Sequence, residues 1–243
     1  QDKIIKATQL AGERGIQIMP IKFRHSRDEY VYDRSDKKIY QGMESIKYLN
    51  KRLSREFYKL RNTKFDSFVD LLVMNQKKKI ADSRQMDILI KLDFFSEFGN
   101  PNQLLEQVKI FNEFYGAKQL NKLDLDELLP HDTMLKLCEK ETEKKYVNVD
   151  WLRIVQLLCM KTSDIKTSIT DRIQYEADCL GYIQLTVPKL NPSYIYVLDI
   201  DGKFSNKTVL GYVLQNGQQR RLKVKARTLE ADPIEKGDIL RID

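Results

Sequence analysis

The sequence predicts an α+β fold in which a helical region is followed by a small domain of short strands. Apolar residues recur at helical spacing through most of the chain, as in Leu104, Val108 and Phe111. From Tyr194 the period changes to two, and glycine-containing turns separate short strands. The composition of the 243 residues is that of a globular protein, because 42% are hydrophobic and 32% are charged.

Charge and cysteine usage limit the classes of partner and compartment. The net charge of +7 favours a polyanionic partner. Cys138, Cys159 and Cys179 are widely spaced and form no CxxC pair, which predicts a reducing cytoplasm and no structural zinc. No apolar run approaches the roughly 20 residues that a membrane span needs, so we expect no membrane partner. The chain starts with neither Met nor a signal peptide, which predicts a fragment of a longer protein.

The first 40 residues predict a small α/β segment. Residues 2–15 have apolar side chains at helical spacing. Residues 16–21 form a short apolar strand, and residues 30–32 and 38–40 form a hairpin around a polar turn. We therefore assign residues 1–40 to one segment that precedes the helical region.

Residues 41–60 predict two short helices that share one apolar stripe. Tyr48-Leu49-Asn50 lies between them, and Asn both tolerates a left-handed turn and caps helices. The second helix has a basic exposed face, so Asn50, Lys51, Arg52 and Arg55 are candidate phosphate contacts. An ordinary helical hairpin with a solvated charged face explains this stretch equally well.

The next helices lead into a second unit of the same kind. The pattern predicts a helix over 65–74, capped by Asp66 or Ser67, and another over 83–92. Lys77–Lys79 is predicted to be an exposed linker between them.

In the second unit Phe98-Gly99-Asn100 takes the place of Tyr48-Leu49-Asn50, and Pro101 suits the start of a helix. We expect Gly99, Asn100 and Asn102 to contact phosphate through backbone amides. Two units at similar offset predict a tandem helix–hairpin–helix domain over residues 41–117. Each unit would present helix amides to one strand of a duplex across the minor groove.

Residues 118–192 predict a helical connector. Acidic and basic side chains nearly balance in its first part, and helices over 150–161 and 168–179 follow.

The tail, residues 193–243, predicts a small β-barrel of the oligonucleotide-binding kind, either complete or ending before its last strand. The predicted strands cover 194–200, 208–214, 220–227 and 239–242.

One tail strand has four cations on one pleated face, and these are Arg221, Lys223, Lys225 and Arg227. Grooves that bind single-stranded DNA have such faces. A solvated edge strand, on which Lys discourages aggregation, explains the pattern equally well. Tyr196 and Phe204 are the nearest aromatic residues that could stack on bases, and core packing is the alternative for both.

No complete active site follows from the sequence, so we predict neither catalytic nor metal-binding residues in this chain. Asp124 and Asp126 precede a helical run and suit caps, whereas Asp199 and Asp201 lead into a turn. No glycine-rich phosphate loop is present.

The order of several motifs resembles the bacterial replicative DNA polymerase III α subunit, in the region after its catalytic core. The motifs are GERGIQIMPIKFRHSRDEYVYD, IYQGMESIKYLN, KFDSFVDLLVMN, ADSRQMDILIKLDFFSEFGNPNQLLEQV and YEADCLGYIQL. The resemblance extends from Ile4 to about Leu185, and the tail fits in position and pattern only. Gly42 and Ile46 match residues that precede the family's first hairpin.

The chain departs from this family at three places. Tyr48-Leu49-Asn50 replaces the family's Gly-hydrophobic-Gly hairpin, and Ile183–Thr186 replaces its Ser-Gly-His-Pro element. The one candidate for its sliding-clamp pentapeptide, Gln156–Met160, ends in Met and falls in a predicted helix.

The resemblance implies a parent DNA-directed DNA polymerase that uses magnesium and deoxynucleoside triphosphates. Its catalytic aspartates would lie upstream of Gln1, and this chain, without a cofactor of its own, would hold primer-template and single-stranded DNA. The sliding clamp and other replisome subunits are the implied protein partners. The alternative is a freestanding, non-catalytic nucleic-acid-binding or replication-regulating module derived from that region.

Overall fold

The computed structural model describes residues 10–242 except 12, 126, 203–205, 226–229 and 231–232. The predicted helix over 2–15 lies mostly outside the described residues, as do Asp126, Phe204 and Arg227. The chain divides into a first compact unit that ends at Thr167 and a second that begins at Ser168. The predicted connector, residues 118–192, is therefore shared between the two units.

The first unit begins with a small sheet that contains the predicted strand and hairpin. Its strands are β1 (Gln17–Met19), β2 (Val31–Asp33) and β3 (Lys38–Tyr40). β3 lies in the middle, parallel to β1 and antiparallel to β2.

The helix–hairpin–helix region follows this sheet. It contains a 3₁₀ turn (Met43–Ser45) and the helices α1 (Lys51–Lys59), α2 (Phe68–Lys78), α3 (Ser83–Lys91) and α4 (Pro101–Phe114). The predicted first helix of the first hairpin is wrong, because only the 3₁₀ turn forms there. Lys77 and Lys78 belong to the last turn of α2, so they are not part of a linker.

Each of these four helices begins at a polar side chain that caps it. Asn50, Ser67, Asp82 and Asn100 each accept a hydrogen bond from the backbone N–H three residues later. Because these caps are local, the sequence is sufficient to predict where the helices start.

An aromatic cluster holds the segment after β1, α1 and the turn after α3 together. Phe23 is 1% exposed, and its ring centroid lies 6.3 Å from that of Phe57 and 5.8 Å from that of Phe94. Phe95 is fully buried and lies 4.8 Å from Phe94. These contacts fix the segment that follows β1 against α1 and the turn after α3.

Residues 119–149 form a small α/β subdomain, so the predicted helical connector is wrong here. Its elements are β4 (Gln119–Asn121), α5 (Lys122–Leu125), α6 (His131–Lys136), β5 (Cys138–Glu141) and β6 (Lys145–Val149). The strands pair antiparallel in the order β4-β6-β5. Strands of three to five residues show too little alternation for the sequence pattern to identify them.

The last helix of the first unit is α7 (Trp151–Met160), as predicted. It packs against α4, where the ring centroids of Phe111 and Trp151 lie 6.1 Å apart. The buried Gln107 amide donates to Thr162 Oγ1 over 3.0 Å.

The second unit contains α8 (Ile169–Leu180) and the strands β7 (Tyr194–Asp201), β8 (Asn206–Val213), β9 (Gln219–Lys225) and β10 (Ile239–Arg241). The antiparallel order is β10-β7-β8-β9, and the sheet curls into a half-barrel. Tyr196, Tyr212 and Leu214 on the sheet pack with Ile173 of α8. The predicted α+β fold class is confirmed.

Candidate nucleic-acid interface

The first hairpin turns at Tyr48, whose φ of 72° is in the left-handed region. The sequence suggested Asn50 for this conformation, but Asn50 is extended and caps α1 instead, accepting from the Leu53 N–H over 3.0 Å. The buried side chain of Leu49 anchors the turn, and Tyr48 remains 44% exposed. The hairpin tip is therefore an exposed aromatic residue rather than a glycine.

The N-terminus of α1 keeps two free backbone donors. Asn50 accepts from the N–H groups of Leu53 and Ser54. Those of Lys51 and Arg52 form no hydrogen bond with any other described residue. Unpaired amides and the positive end of the helix dipole favour an anion at this position.

Two cations surround the hairpin tip. The Arg84 Cζ lies 3.3 Å and the Lys47 Nζ 4.9 Å from the centroid of the Tyr48 ring. A hydrogen bond from Lys47 and the charge of Arg84 lower the pKa of the Tyr48 hydroxyl. The Gln85 amide donates to the Tyr48 carbonyl over 3.0 Å, which ties α3 to the hairpin. Arg84 is not among the predicted site residues, because local spacing does not reveal contacts between distant segments.

Arg52 is engaged in a structural contact. Its Nη2 donates to the carbonyl oxygens of Lys79 over 2.9 Å and Ile80 over 3.3 Å. These carbonyls follow the end of α2, so Arg52 stabilises the C-terminus of that helix. A phosphate contact by Arg52 would compete with this role.

Asp28 holds the other two predicted cations of α1. Its Oδ2 lies 3.3 Å from Lys51 Nζ and 3.6 Å from Arg55 Nε. Desolvation opposes ionisation of Asp28, but the hydrogen bond from Lys51 and the charges of Lys51 and Arg55 outweigh it. The pKa of Asp28 is therefore lowered from its ordinary value of 3.8.

Gly42 allows Asp28 to reach this position. A Cβ atom at Gly42 would lie 2.5 Å from the backbone carbon of Glu29, so only glycine fits under that segment. The N–H of Met43 donates to the Arg27 carbonyl over 2.9 Å, and that of Glu44 to the Asp28 carbonyl over 3.1 Å. The segment that carries Arg27 and Asp28 is thereby fixed beside α1.

At the second hairpin, the chain itself occupies one of the predicted phosphate donors. The N–H of Asn102 donates to Thr167 Oγ1 over 2.9 Å, and Pro101 has no N–H to offer. Asn100 accepts from the Gln103 N–H and from Thr167 Oγ1, and its side-chain amide donates to the Ile165 carbonyl over 2.7 Å. The two hairpins are thus unequal.

Gly99 lies at the same turn. A Cβ atom there would come within 2.5 Å of Gln103 Oε1, so the glycine leaves room for that side chain. The predicted phosphate contact at the Asn102 N–H would require Thr167 to move away.

The basic strand β9 is an edge of the described sheet. Arg221, Lys223 and Lys225 are exposed and alternate with half-buried apolar residues, as predicted, and Arg227 lies outside the described residues. None of the three forms an ion pair with another described residue.

Among the described strands of this sheet, the acids that share this face lie two strands away. The register aligns Arg221 with Leu210 and Asp199, and aligns Lys223 with Thr208 and Asp201. Strands lie about 4.8 Å apart, so about 10 Å separates the backbones of the opposite charges. At physiological salt, the attraction between exposed charges is screened over a similar distance. The paired strand β8 has no acidic residue, so the cations of β9 have no acidic partner on the adjacent strand.

Tyr196 packs in the hydrophobic core, so the alternative of core packing is confirmed for this residue. It is 2% exposed, and its hydroxyl donates to Gln174 Oε1 over 3.3 Å. It cannot stack on a base in this conformation. Asp199 and Asp201 lie at the end of β7, directly before Gly202.

The described residues contain no group of three or more His, Cys, Asp or Glu side chains arranged to hold a metal ion. His131 contacts two groups, with Nδ1 2.8 Å from Tyr146 Oη and Nε2 3.5 Å from Glu141 Oε1. These contacts join α6 to the sheet of the subdomain. Asp124 lies in α5 and accepts from the Asn121 side chain over 3.0 Å.

Comparison with protein families identifies the region that contains both hairpins. Residues 15–105 match the family described as the helix-hairpin-helix motif. This match indicates nucleic-acid binding by that region. No curated protein matches the chain. Among the described residues, no helix is both long enough and apolar enough to span a bilayer.

Proposed function

We propose that the first unit binds duplex DNA without sequence preference through its first hairpin. The observation that carries this proposal is the N-terminus of α1, where the N–H groups of Lys51 and Arg52 are free. Lys47 and Tyr48 lie in the same hairpin, and Arg84 of α3 packs on the Tyr48 ring. Amides and cations of this kind contact phosphates, which carry no base sequence, so the binding is independent of sequence.

The two hairpins contribute unequally in this proposal. Thr167 accepts from the Asn102 N–H, and Asn100 is bonded to residues 165 and 167. A phosphate at the second hairpin would have to replace these bonds. The backbone amides of Lys51 and Arg52 in the first hairpin need no such exchange, so the first hairpin provides the primary contact.

The test is the salt dependence of duplex binding by the variant Lys51→Gln/Arg84→Gln. Each neutralised phosphate contributes about −0.9 to the slope of log affinity against log salt. We expect weaker binding to all sequences and a shallower slope. Lys109→Gln is the matched control, because Lys109 is exposed on α4 and pairs only with Glu106 among the described residues. An unchanged slope in the double variant would move the DNA surface elsewhere.

We also propose that β9 binds single-stranded DNA. Arg221, Lys223 and Lys225 support this proposal because they are exposed on one face of an edge strand and far from acids. Because Tyr196 is buried in the core, it does not stack on bases. In the described sheet, the affinity for single-stranded DNA would therefore come from electrostatic attraction.

The replicative role rests on the order of motifs that resembles a DNA polymerase III α subunit. In that role the chain holds primer-template in the cytoplasm, while upstream domains bind magnesium and catalyse synthesis. We assign no clamp contact to Gln156–Met160, because Leu158 and Cys159 are each 5% exposed within α7. The second candidate is a freestanding binding module. An open reading frame that extends several hundred residues upstream of Gln1 would support the polymerase role, and one that begins at Gln1 would support the module.

A further inference from the structure

We propose a second phosphate-binding site at the C-terminal end of α1, formed by Arg27, Tyr58 and Arg61. It would take a backbone phosphate of the same DNA that the first hairpin binds, and in this respect it rests on the proposed function. None of the three is among the predicted site residues.

The geometry of this site is defined by one aromatic ring. Arg27 Cζ lies 4.3 Å and Arg61 Cζ 4.4 Å from the centroid of Tyr58. Arg27 Nη2 also donates to Tyr58 Oη over 2.6 Å, and Arg61 Nη1 donates to the Tyr58 carbonyl over 3.1 Å. Tyr58 therefore holds two guanidinium groups in fixed positions.

The charge of this site is uncompensated. Arg27 and Arg61 form no ion pair with any other described residue, whereas Arg55 pairs with Asp28 and Lys59 with Glu56. Two guanidinium groups on one ring repel each other, and an anion bound to either guanidinium weakens that repulsion.

The free N–H donors of Arg27 and Arg61 suit the binding of a phosphate at this position. Each guanidinium has five N–H donors in a planar fork, and the described hydrogen bonds use one donor of Arg27 and one of Arg61. The remaining donors match the paired oxygens of a phosphate.

The distance along α1 allows one DNA strand to reach both sites. Lys51 and Tyr58 are seven residues apart in the same helix, which corresponds to about 10 Å along its axis. One strand carries a phosphate for about every 3.4 Å of duplex axis. A strand that is bound at the hairpin and follows the axis of α1 can therefore present a later phosphate to Arg27 or Arg61.

The test compares Arg27→Gln/Arg61→Gln with Lys51→Gln/Arg84→Gln in the full chain. Binding to one duplex is measured across a salt series, with Lys109→Gln as control. Loss of one phosphate contact should make the slope of the first variant shallower by about 0.9. Inorganic phosphate is the probe that separates a free-phosphate site from a DNA site, and we expect it to compete with DNA only weakly.

The outcomes separate this proposal from the proposed function. If the hairpin variant weakens binding and the Arg27/Arg61 variant keeps the wild-type affinity and slope, the second site is overturned and the hairpin stands. If neither variant changes binding, both proposals fall. If Arg27→Gln/Arg61→Gln unfolds, the variant Arg27→Lys/Arg61→Lys replaces it. This variant keeps both positive charges and removes the planar guanidinium groups. For the Lys variant we expect lower affinity for the duplex with an unchanged salt dependence. An affinity equal to that of the wild type would overturn the proposed site.

Discussion

At the scale of single residues, Asp28 is an internal anion at the candidate interface. Its carboxylate lies within 3.6 Å of both Lys51 and Arg55, and Gly42 allows the chain to place it there. A DNA phosphate would have to share these cations with Asp28 or displace it. In the proposed binding mode, Asp28 would therefore limit the affinity of the hairpin for DNA.

The substitution Asp28→Asn should strengthen duplex binding and steepen its salt dependence, because both cations become available to phosphate. Titration of a duplex across a salt series measures both quantities. Asp66→Asn is the control, because Asp66 pairs with Lys64 at an exposed position. Equal affinity of the Asp28 variant and the wild type would mean that Lys51 and Arg55 do not contact DNA.

A second residue with a shifted pKa, Glu176, lies in the second unit. Its Oε2 accepts from the N–H groups of Gln184 and Leu185, each over 2.7 Å. Burial raises the pKa of Glu176 from its ordinary value of 4.5, although these two hydrogen bonds oppose the change. Burial, with a smaller contribution from the charge of Glu176, also raises the pKa of Tyr212 to about 12.

The stability of the chain should fall as the pH rises through the raised pKa of Glu176. A raised pKa in the folded state contributes stability that is complete below the unfolded value and is lost above the folded one. The substitution Glu176→Gln removes this contribution. We expect the melting temperature of the wild type, relative to the variant, to decrease from pH 4 to pH 8. A constant difference would show that Glu176 has an ordinary pKa.

Residue-level predictions from sequence succeed where the interaction is local. Asn50 and Asn100 are identifiable as caps because each binds an amide three residues later. The contacts of Asp28 and Arg84 are not predicted from sequence, because their partners are distant in the chain. Tyr48, rather than Asn50, adopts the left-handed conformation, since Asn50 must be extended to cap α1.

At the scale of elements, the two hairpins have the same layout and different exposure. Both precede a helix capped by Asn, but residues 165–167 cover the second. The sequence cannot predict this cover, because Thr167 lies 65 residues after Asn102. The short strands of residues 119–149 are missed for a related reason, since pairing between strands rather than local pattern defines them.

The alternation of β9 is predicted correctly because a pleated strand has a strict period of two. A strand shifted by one residue would bury its cations, so the register is strongly determined. Whether the exposed face binds DNA is a separate question that the alternation cannot answer.

Substitution of Arg221, Lys223, Lys225 and Arg227 by Gln should weaken single-strand binding and leave duplex binding by the hairpin intact. The change retains the strand and removes its charge. Lys207→Gln is the control, because Lys207 pairs with Val224 and belongs to the opposite face of the sheet. Intact single-strand binding would show that the basic face of β9 is only solvated.

At the scale of the whole molecule, the chain combines a helix–hairpin–helix region with a half-barrel and a net charge of +7. The fold class and this order of parts are predictable, because helical and strand periodicity occupy separate parts of the chain. The function of the parent protein is not a consequence of the fold, and it rests on the resemblance of motifs.

The purified chain should not extend a primer. A polymerase site needs several carboxylates around magnesium, and Asp199 and Asp201 are exposed neighbours on one strand without a third described acid to complete a site. The assay is incorporation of nucleotides with magnesium on a primed template. Incorporation that is abolished by Asp199→Ala would refute the proposed division between this chain and upstream catalytic domains.

The central claim is that DNA contacts the free amides of the first hairpin while the second remains covered. Amide chemical shifts of the isotope-labelled chain, recorded during titration with a short duplex, test it most directly. We predict large shifts for the N–H groups of Lys51 and Arg52, and none for that of Asn102, which stays bonded to Thr167. Large shifts at Asn102 with unchanged resonances of Lys51 and Arg52 would contradict the claim.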